Sequence, residues 1–264
     1  MRRTRPIRRS QLGAALALAG VLIGVAVAVV LPDGSAGPSS ARPSLPPPPR
    51  PAFAPENVAL GPDPVAFWAP VLASASARVS PTRSHVVGEI ARRTPEGTTN
   101  LVLVLGHAKR VAGRLWVRVR FPGRPDDARG WVPRSVLGGY TPVRTRLVVD
   151  RARLTATLMR GSRRVLRTRV GVGTPSAPTP SGQFYVRNQL SRYRSPFYGP
   201  VAFGTTARSP GVSDWPAGGF VGIHGTNRPD LLPGRVSHGC IRMANEDILR
   251  LRRVMPTGTP LTVR

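Results

Sequence analysis

A single cysteine, Cys240, occurs in 264 residues, so no intramolecular disulfide framework can hold this chain together. Acidic residues are scarce too: 12 Asp and Glu stand against 39 Lys and Arg, a formal charge of +27. Lysine is nearly missing from the basic set, Lys109 being the only one. A balance this basic favours polyanions. The arginines are nevertheless spread along the whole chain, without aromatic–basic interleaving, zinc-finger spacing or a recognition-helix pattern, and no nucleic-acid partner is expected. Long helices are discouraged by 28 Gly and 30 Pro. A hydrophobic fraction of 41% still supplies a core, and the many short Val- and Leu-rich runs point to a mostly β protein.

One long uncharged run stands out, LGAALALAGVLIGVAVAVVL at 12–31, behind the basic MRRTRPIRRSQ. Twenty apolar residues at ~1.5 Å each reach ~30 Å, enough to span a bilayer. The basic flank would stay cytoplasmic and the remaining chain would face outward. Residues 1–31 are therefore expected to be a basic region with an apolar signal anchor or signal peptide; the uncleaved anchor is favoured, with cleavage after Ala36 as the alternative. Residues 32–69, rich in Pro, Ser and Ala, read as a disordered polyproline-like linker. Together these imply an extracytoplasmic module, membrane-anchored or secreted into the cell wall.

From 70 to 140 the text is that of a small β module. NLVLVLG at 100–106 suits a buried strand, and GRLWVRVRF at 113–121 alternates apolar and basic residues through Leu115, Val117, Val119 and Phe121. The turn PGRPDDARG then leads into GWVPRSVL. That order resembles a bacterial Src-homology-3-like barrel, whose closing strands often carry GWV. Trp116 and Trp131 either fill the core of such a module or line a glycan- or peptide-binding groove.

Residues 146–173 read as strand, strand, a turn at RGSR and a further strand, followed by a Pro/Gly loop running into FYV. FVGIHG at 220–225 is a short apolar strand ending on His224, and ANEDILRLRRVM is helical, with apolar residues at 248, 249, 251 and 254. His224 and Cys240 stand at the two ends of a fifteen-residue Pro/Gly-rich loop, which can fold back to join its ends at modest entropic cost. A free thiol is mostly protonated at neutral pH, and an imidazole in reach generates the nucleophilic thiolate. Ser237, His238 and Gly239 are small or permissive enough to aim successive N–H groups into one pocket, where an oxyanion could sit. Arg242 shares a face with Cys240 if GCIRM is extended, and either pairs a substrate carboxylate or braces the loop. His224, His238 and Cys240 as metal ligands would need a fourth donor that the spacing does not offer, so no metal or other cofactor is expected. The residues alone therefore suggest a Cys–His acyl-transfer site.

IHGT…SHGCIRM resembles the signature of the L,D-transpeptidase (YkuD-like) catalytic domain, and VGVGTPSAPTPSGQFYV upstream is similar to that family's glycine–proline run. The resemblance covers the expected catalytic domain, 143–264, and implies a mixed β-sandwich. It further implies peptidoglycan cross-linking, with Cys240 as nucleophile, His224 as general base and the carbonyl of Gly225 orienting the imidazole. Gly239 and Cys240 would supply oxyanion N–H groups, while Ser237, His238 and Arg242 shape the pocket. The implied donor is a peptidoglycan tetrapeptide stem, which loses D-alanine to form a thioester. Transfer to the amine of a neighbouring stem gives a 3→3 cross-link, and a carbapenem would acylate the same thiol. Hydrolysis of the thioester, a carboxypeptidase or endopeptidase activity, and a non-catalytic wall-binding role are the alternatives. Where a capping Ser or Thr is common, the final helix has Ala244, for which Asn245 is the expected substitute.

Overall fold

The computed structural model describes residues 65–123, 126–190, 196–212 and 219–264; the apolar run at 12–31 and most of the Pro-rich linker lie outside the described residues. Among the described residues no helix is long and apolar enough to cross a membrane.

Seven strands build an antiparallel sheet: β1 (Ala66–Pro70), β2 (Ala75–Arg78), β3 (Val86–Ile90), β4 (Leu101–Val111), β5 (Arg114–Arg120), β6 (Arg129–Pro133) and β7 (Thr141–Val143), in the order β3-β2-β6-β5-β4-β1-β7. β1 begins inside the stretch expected to be linker. Its AFWAP text has the look of a spacer, but Trp68 pairs with Leu103 on one side and with Thr141 on the other. Val102, Val117, Val119, Phe121, Val132 and Leu137 fill the core of this sheet. Trp116 and Trp131 are 5% and 8% exposed, so neither forms an open aromatic groove. The Arg78 guanidinium lies over the first ring and the Lys109 ammonium over the second, at 5.1 and 5.5 Å.

Ten further strands follow: β8 (Thr145–Asp150), β9 (Thr155–Arg160), β10 (Arg163–Arg169), β11 (Gly171–Gly173), β12 (Gly182–Leu190), β13 (Ala202–Arg208), β14 (Phe220–His224), β15 (Gly234–Ser237), β16 (Ile241–Arg242) and β17 (Pro260–Val263). They run in the order β10-β9-β8-β17-β12-β13-β14-β16-β11-β15. β8–β17, β14–β16 and β11–β15 are parallel pairs, so the sheet is mixed. Leu147, Val149 and Leu158 from one end of that order share a single core with Phe203, Ile223 and Ile241 from the other, so the sheet folds over on itself. The helix α1 (Asn245–Val254) adds Ile248 and Leu251 to this core. Leu249, expected on the same apolar face, is 38% exposed, because a helix repeat of 3.6 turns it away from 248 and 251.

The two sheets are joined by buried polar contacts. Tyr185 of β12 donates its hydroxyl to the carbonyl of Leu101 at 2.8 Å, and Leu101, Leu103, Tyr185 and Trp68 form a small shared apolar cluster. Burial raises the Tyr185 phenol far above its ordinary range, which keeps that hydroxyl a donor. Beside it the Glu96 carboxylate pairs with the Arg187 guanidinium, and the Asn188 side-chain amide donates to the second carboxylate oxygen at 3.0 Å.

Candidate active site

β14 and β16 are neighbours in parallel register, with Ile223 opposite Ile241 and His224 opposite Arg242. That register puts Cys240 beside Gly222, and a strand's period of two turns Gly222, His224, Cys240 and Arg242 to the same face. His224 and Cys240 are thus one strand apart and two residues displaced along it. The long connection between them carries a 3₁₀ turn at Pro229–Leu231 and then β15, which pairs with β11 and carries the chain back to the cysteine.

Each functional atom is fixed by a named partner. The Nδ1 of His224 lies 2.6 Å from the carbonyl oxygen of Gly225. A carbonyl only accepts, so Nδ1 carries the proton, and in the neutral ring Nε2 is left as the basic nitrogen. The backbone N–H of Gly222 donates to the sulfur of Cys240 at 3.3 Å, an arrangement that favours the anion over the thiol. His224 is 1% exposed and Cys240 7%, so water has little access to either. Tyr198 meets the His224 ring edge-on at 4.7 Å between centroids, while Phe197 lies over the Arg242 guanidinium at 4.5 Å. The stretch YRSPFYGPVAFG at 193–204 therefore contributes two aromatic rings to the edge of the site, its part at 193–195 lying outside the described residues.

Ser237 is buried and its hydroxyl donates to the carbonyl of Cys240 at 2.6 Å while accepting the N–H of Gly239 at 3.1 Å. An oxyanion would have to compete with that hydroxyl for the Gly239 amide. Gly239 itself has φ of +126°, and a Cβ there would stand 2.8 Å from the Cβ of Ser209, so glycine is required on both counts. His238 is exposed, and its carbonyl accepts from the Ser209 hydroxyl at 3.3 Å. Arg242 is 9% exposed beneath Phe197.

Two supporting residues, Thr179 and Ser209, were not singled out by sequence, and a third, Asn245, was expected only as a helix cap. The hydroxyl of Thr179, 1% exposed, accepts the N–H of Gly173 at 2.9 Å and donates to the carbonyl of Gly239 at 2.8 Å, so it holds the proline-rich loop against the cysteine turn. Ser209 secures the neighbouring carbonyl, as described. Asn245 does not cap its own helix: Ala244 is the N-cap and no side chain caps it. The Asn245 Oδ1 instead accepts the N–H of Thr226 at 2.9 Å. Gly225 and Gly199 admit that side chain, since a Cβ on either would lie 2.3 or 2.4 Å from the same oxygen. Thr179 and Asn245 do lie inside the quoted runs, but nothing in local spacing gives their partners 60 and 19 residues away.

Asn245 is accordingly a positioning residue for the turn that holds the imidazole. In Asn245→Ala the Thr226 amide loses its acceptor and the Gly225 carbonyl loosens under His224. The expected result is a roughly tenfold slower acylation of Cys240 with a stability loss of about 1 kcal/mol. Asn245→Asp, which keeps an acceptor oxygen, should restore most of the rate. Stopped-flow acylation beside thermal unfolding checks both.

Residues 144–263, a little under half of the chain, match the family model of the YkuD type, described as the L,D-transpeptidase catalytic domain. A Bacillus subtilis protein named as the L,D-transpeptidase YkuD is 39% identical over 101 residues, covering 38% of this chain and 54% of that protein. A Bacillus licheniformis protein of the same name is 33% identical over 94 residues, covering 36% of this chain and 50% of its own. The chain thus spans about half the length of the curated relatives it matches. Among solved structures, the catalytic domain of an E. faecium L,D-transpeptidase acylated by ertapenem is 26% identical, with 46% of this chain covering 96% of that one at a TM-score of 0.36.

Proposed function

We propose that this chain is a cysteine acyltransferase of the L,D-transpeptidase type that cross-links peptidoglycan stems outside the cytoplasm. The observation that carries the proposal is the pairing of a sulfur facing the Gly222 amide with an imidazole pinned through Nδ1 to the Gly225 carbonyl, on adjacent strands of the segment that matches the family model. In this proposal Nε2 of His224 takes the thiol proton, and the sulfur of Cys240 attacks the carbonyl of a tetrapeptide stem. The carbonyl becomes an oxyanion held by the Cys240 amide and by the Gly239 amide, which it takes over from the Ser237 hydroxyl, and its collapse expels D-alanine, which leaves with the proton from His224. A side-chain amine of a second stem then attacks the thioester, giving its proton back to His224 and releasing the thiol with a 3→3 cross-link made. Arg242 supplies a positive group on the same face for a stem carboxylate, and Phe197 holds its guanidinium flat. Ser237 and His238 shape the turn that presents the nucleophile. The first sheet is proposed as an Src-homology-3-like wall-facing module, and residues 1–31 as the segment that ties the chain to the membrane.

The test is product analysis with a purified tetrapeptide stem, with and without an added stem bearing an acceptor amine. Cross-linked dimer and released D-alanine in equal amounts are expected when the acceptor is present. D-Alanine release with only hydrolysed tripeptide at any acceptor concentration would overturn the transferase assignment in favour of a carboxypeptidase. No release at all would remove the cysteine mechanism.

A further inference from the structure

The outer face of β8, β9 and β10 lies away from the active-site cysteine and plays no part in the mechanism above. β10 reads RRVLRTR, in which a strict period of two would divide Arg164 and Arg167 between opposite faces. A register shift between Arg164 and Leu166 prevents that: Arg164 pairs with Met159, Arg167 with Thr157 and Arg169 with Thr155, all on the solvent side, while Leu166 stays opposite Leu158 in the core. Such bulges re-aim side chains, and this one turns three guanidiniums of one strand outward together.

They border a continuous trough. A cavity of about 490 Å³ is lined by Arg153, Arg164, Arg167 and Arg264 above Thr155 and Thr157. A second of about 520 Å³ continues from it, sharing Arg153, Thr155 and Arg167 and reaching Arg169 and Pro233. Pro233 belongs to the connection that ends at Cys240. Among the described residues the only carboxylate lining either cavity is Asp150, and it is already matched by Arg153 at 3.1 Å and Arg264 at 3.4 Å. The N–H of Arg153 holds this carboxyl below the usual carboxylate range, so it stays ionised and keeps both guanidiniums in place. What remains uncompensated is a row of positive groups about 6.6 Å apart along the strand, over a floor of hydroxyls.

We infer that this trough binds a linear, phosphate-bearing anionic polymer and holds it alongside the catalytic sheet. A trough suits an extended chain, and planar guanidiniums take phosphate oxygens in pairs. The two non-bridging oxygens of an interior phosphate are splayed tetrahedrally, so a guanidinium and a floor threonine can be met from different directions, whereas the two oxygens of a carboxylate lie in one plane with its carbon. This binding is independent of the chemistry at Cys240.

The test uses the full chain in neutral detergent and long-chain inorganic polyphosphate as the probe, titrated at several salt concentrations. The variant Arg164→Gln/Arg167→Gln/Arg169→Gln leaves the Asp150 pairs intact. It is compared with Arg83→Gln/Arg92→Gln/Arg114→Gln, an equal loss of charge from exposed positions in the loops and strands of residues 66–143. Removing three phosphate contacts should lower the slope of log affinity against log salt by about 2 and weaken binding about 100-fold at 0.1 M salt. The control should lose less than about a fifth of that slope. Equal losses in the two variants would reduce the effect to overall charge and overturn the proposal. So would monomeric phosphate competing as well as the chain, or tighter binding of polyglutamate than of polyphosphate. A β10 variant that keeps its polyphosphate affinity but no longer prefers anionic over neutral vesicles would make the face a membrane contact instead.

Discussion

Replacing Cys240 by Ala is expected to abolish covalent modification of the protein by a carbapenem, and to lower turnover of a peptide stem by at least about 10³-fold. No second thiol exists in the chain to take over, and the neighbouring hydroxyl of Ser237 is committed to the Cys240 carbonyl. Ser237 also lacks the sulfur's position beside the Gly222 amide. Cys240→Ser is the sharper variant, since it keeps the shape of the side chain and the Gly222 contact. An alcohol is a far weaker nucleophile than a thiolate at neutral pH, so acylation should remain undetectable on the time scale of the wild type. Either substitution removes or alters one atom at the edge of a large core, a cost of about 1 kcal/mol, so both proteins should fold. Intact mass after incubation with ertapenem reads the outcome directly: one adduct on the wild type and none on either variant. An adduct of the same mass on Cys240→Ala would mean that another group is the nucleophile.

The residues of the candidate site were legible because they lie in two short runs, and because a strand ending on His224 and a turn ending on Cys240 can be read locally. Their meeting was legible only as a possibility. Nothing within FVGIH says that its parallel neighbour is CIRM, since that pairing depends on β15 returning beside β11. The bulge in β10 was not read from the sequence, where Val165, Leu166 and Val170 passed for a regular strand, and neither was its consequence for the three arginines. β1 was hidden by the prolines on either side of it, and its strand character comes from the edges of β4 and β7. Least legible was Glu96. It sits in TPEGTT, text that predicts an exposed turn, and its partner Arg187 is 91 residues away inside a strand buried over five successive residues. A charge in a turn is solvated unless another sheet covers it, and no local pattern announces the cover.

That hidden pair carries the largest expected effect on stability. The Arg187 side chain is 1% exposed and that of Glu96 3%, so each charge has given up its water for the other. Burial pushes the Arg187 guanidinium down and the Glu96 carboxylate opposes that shift. Removing the acid alone strands a guanidinium between the two sheets. The ring of Phe220 lies 3.9 Å from Arg187 and offsets only part of that loss. Glu96→Ala should therefore cost about 3–5 kcal/mol in urea unfolding, and Glu96→Gln somewhat less because an acceptor oxygen remains. Removing both charges in Glu96→Ala/Arg187→Met should recover much of the deficit, because a buried pair is worth far less than the penalty for breaking it. The effect should also reach the site. Phe220 is the first residue of β14, the strand that ends on His224, and Arg208 lies against the same ring at 4.2 Å. A displaced Arg187 guanidinium would disturb the start of that strand. Acylation of Cys240, measured where all the variants are folded, should slow in Glu96→Ala and recover in the double variant. A Glu96→Ala protein within 1 kcal/mol of the wild type would mean that water reaches Arg187 between the sheets, and that the first sheet is not structurally coupled to the catalytic strands through this pair.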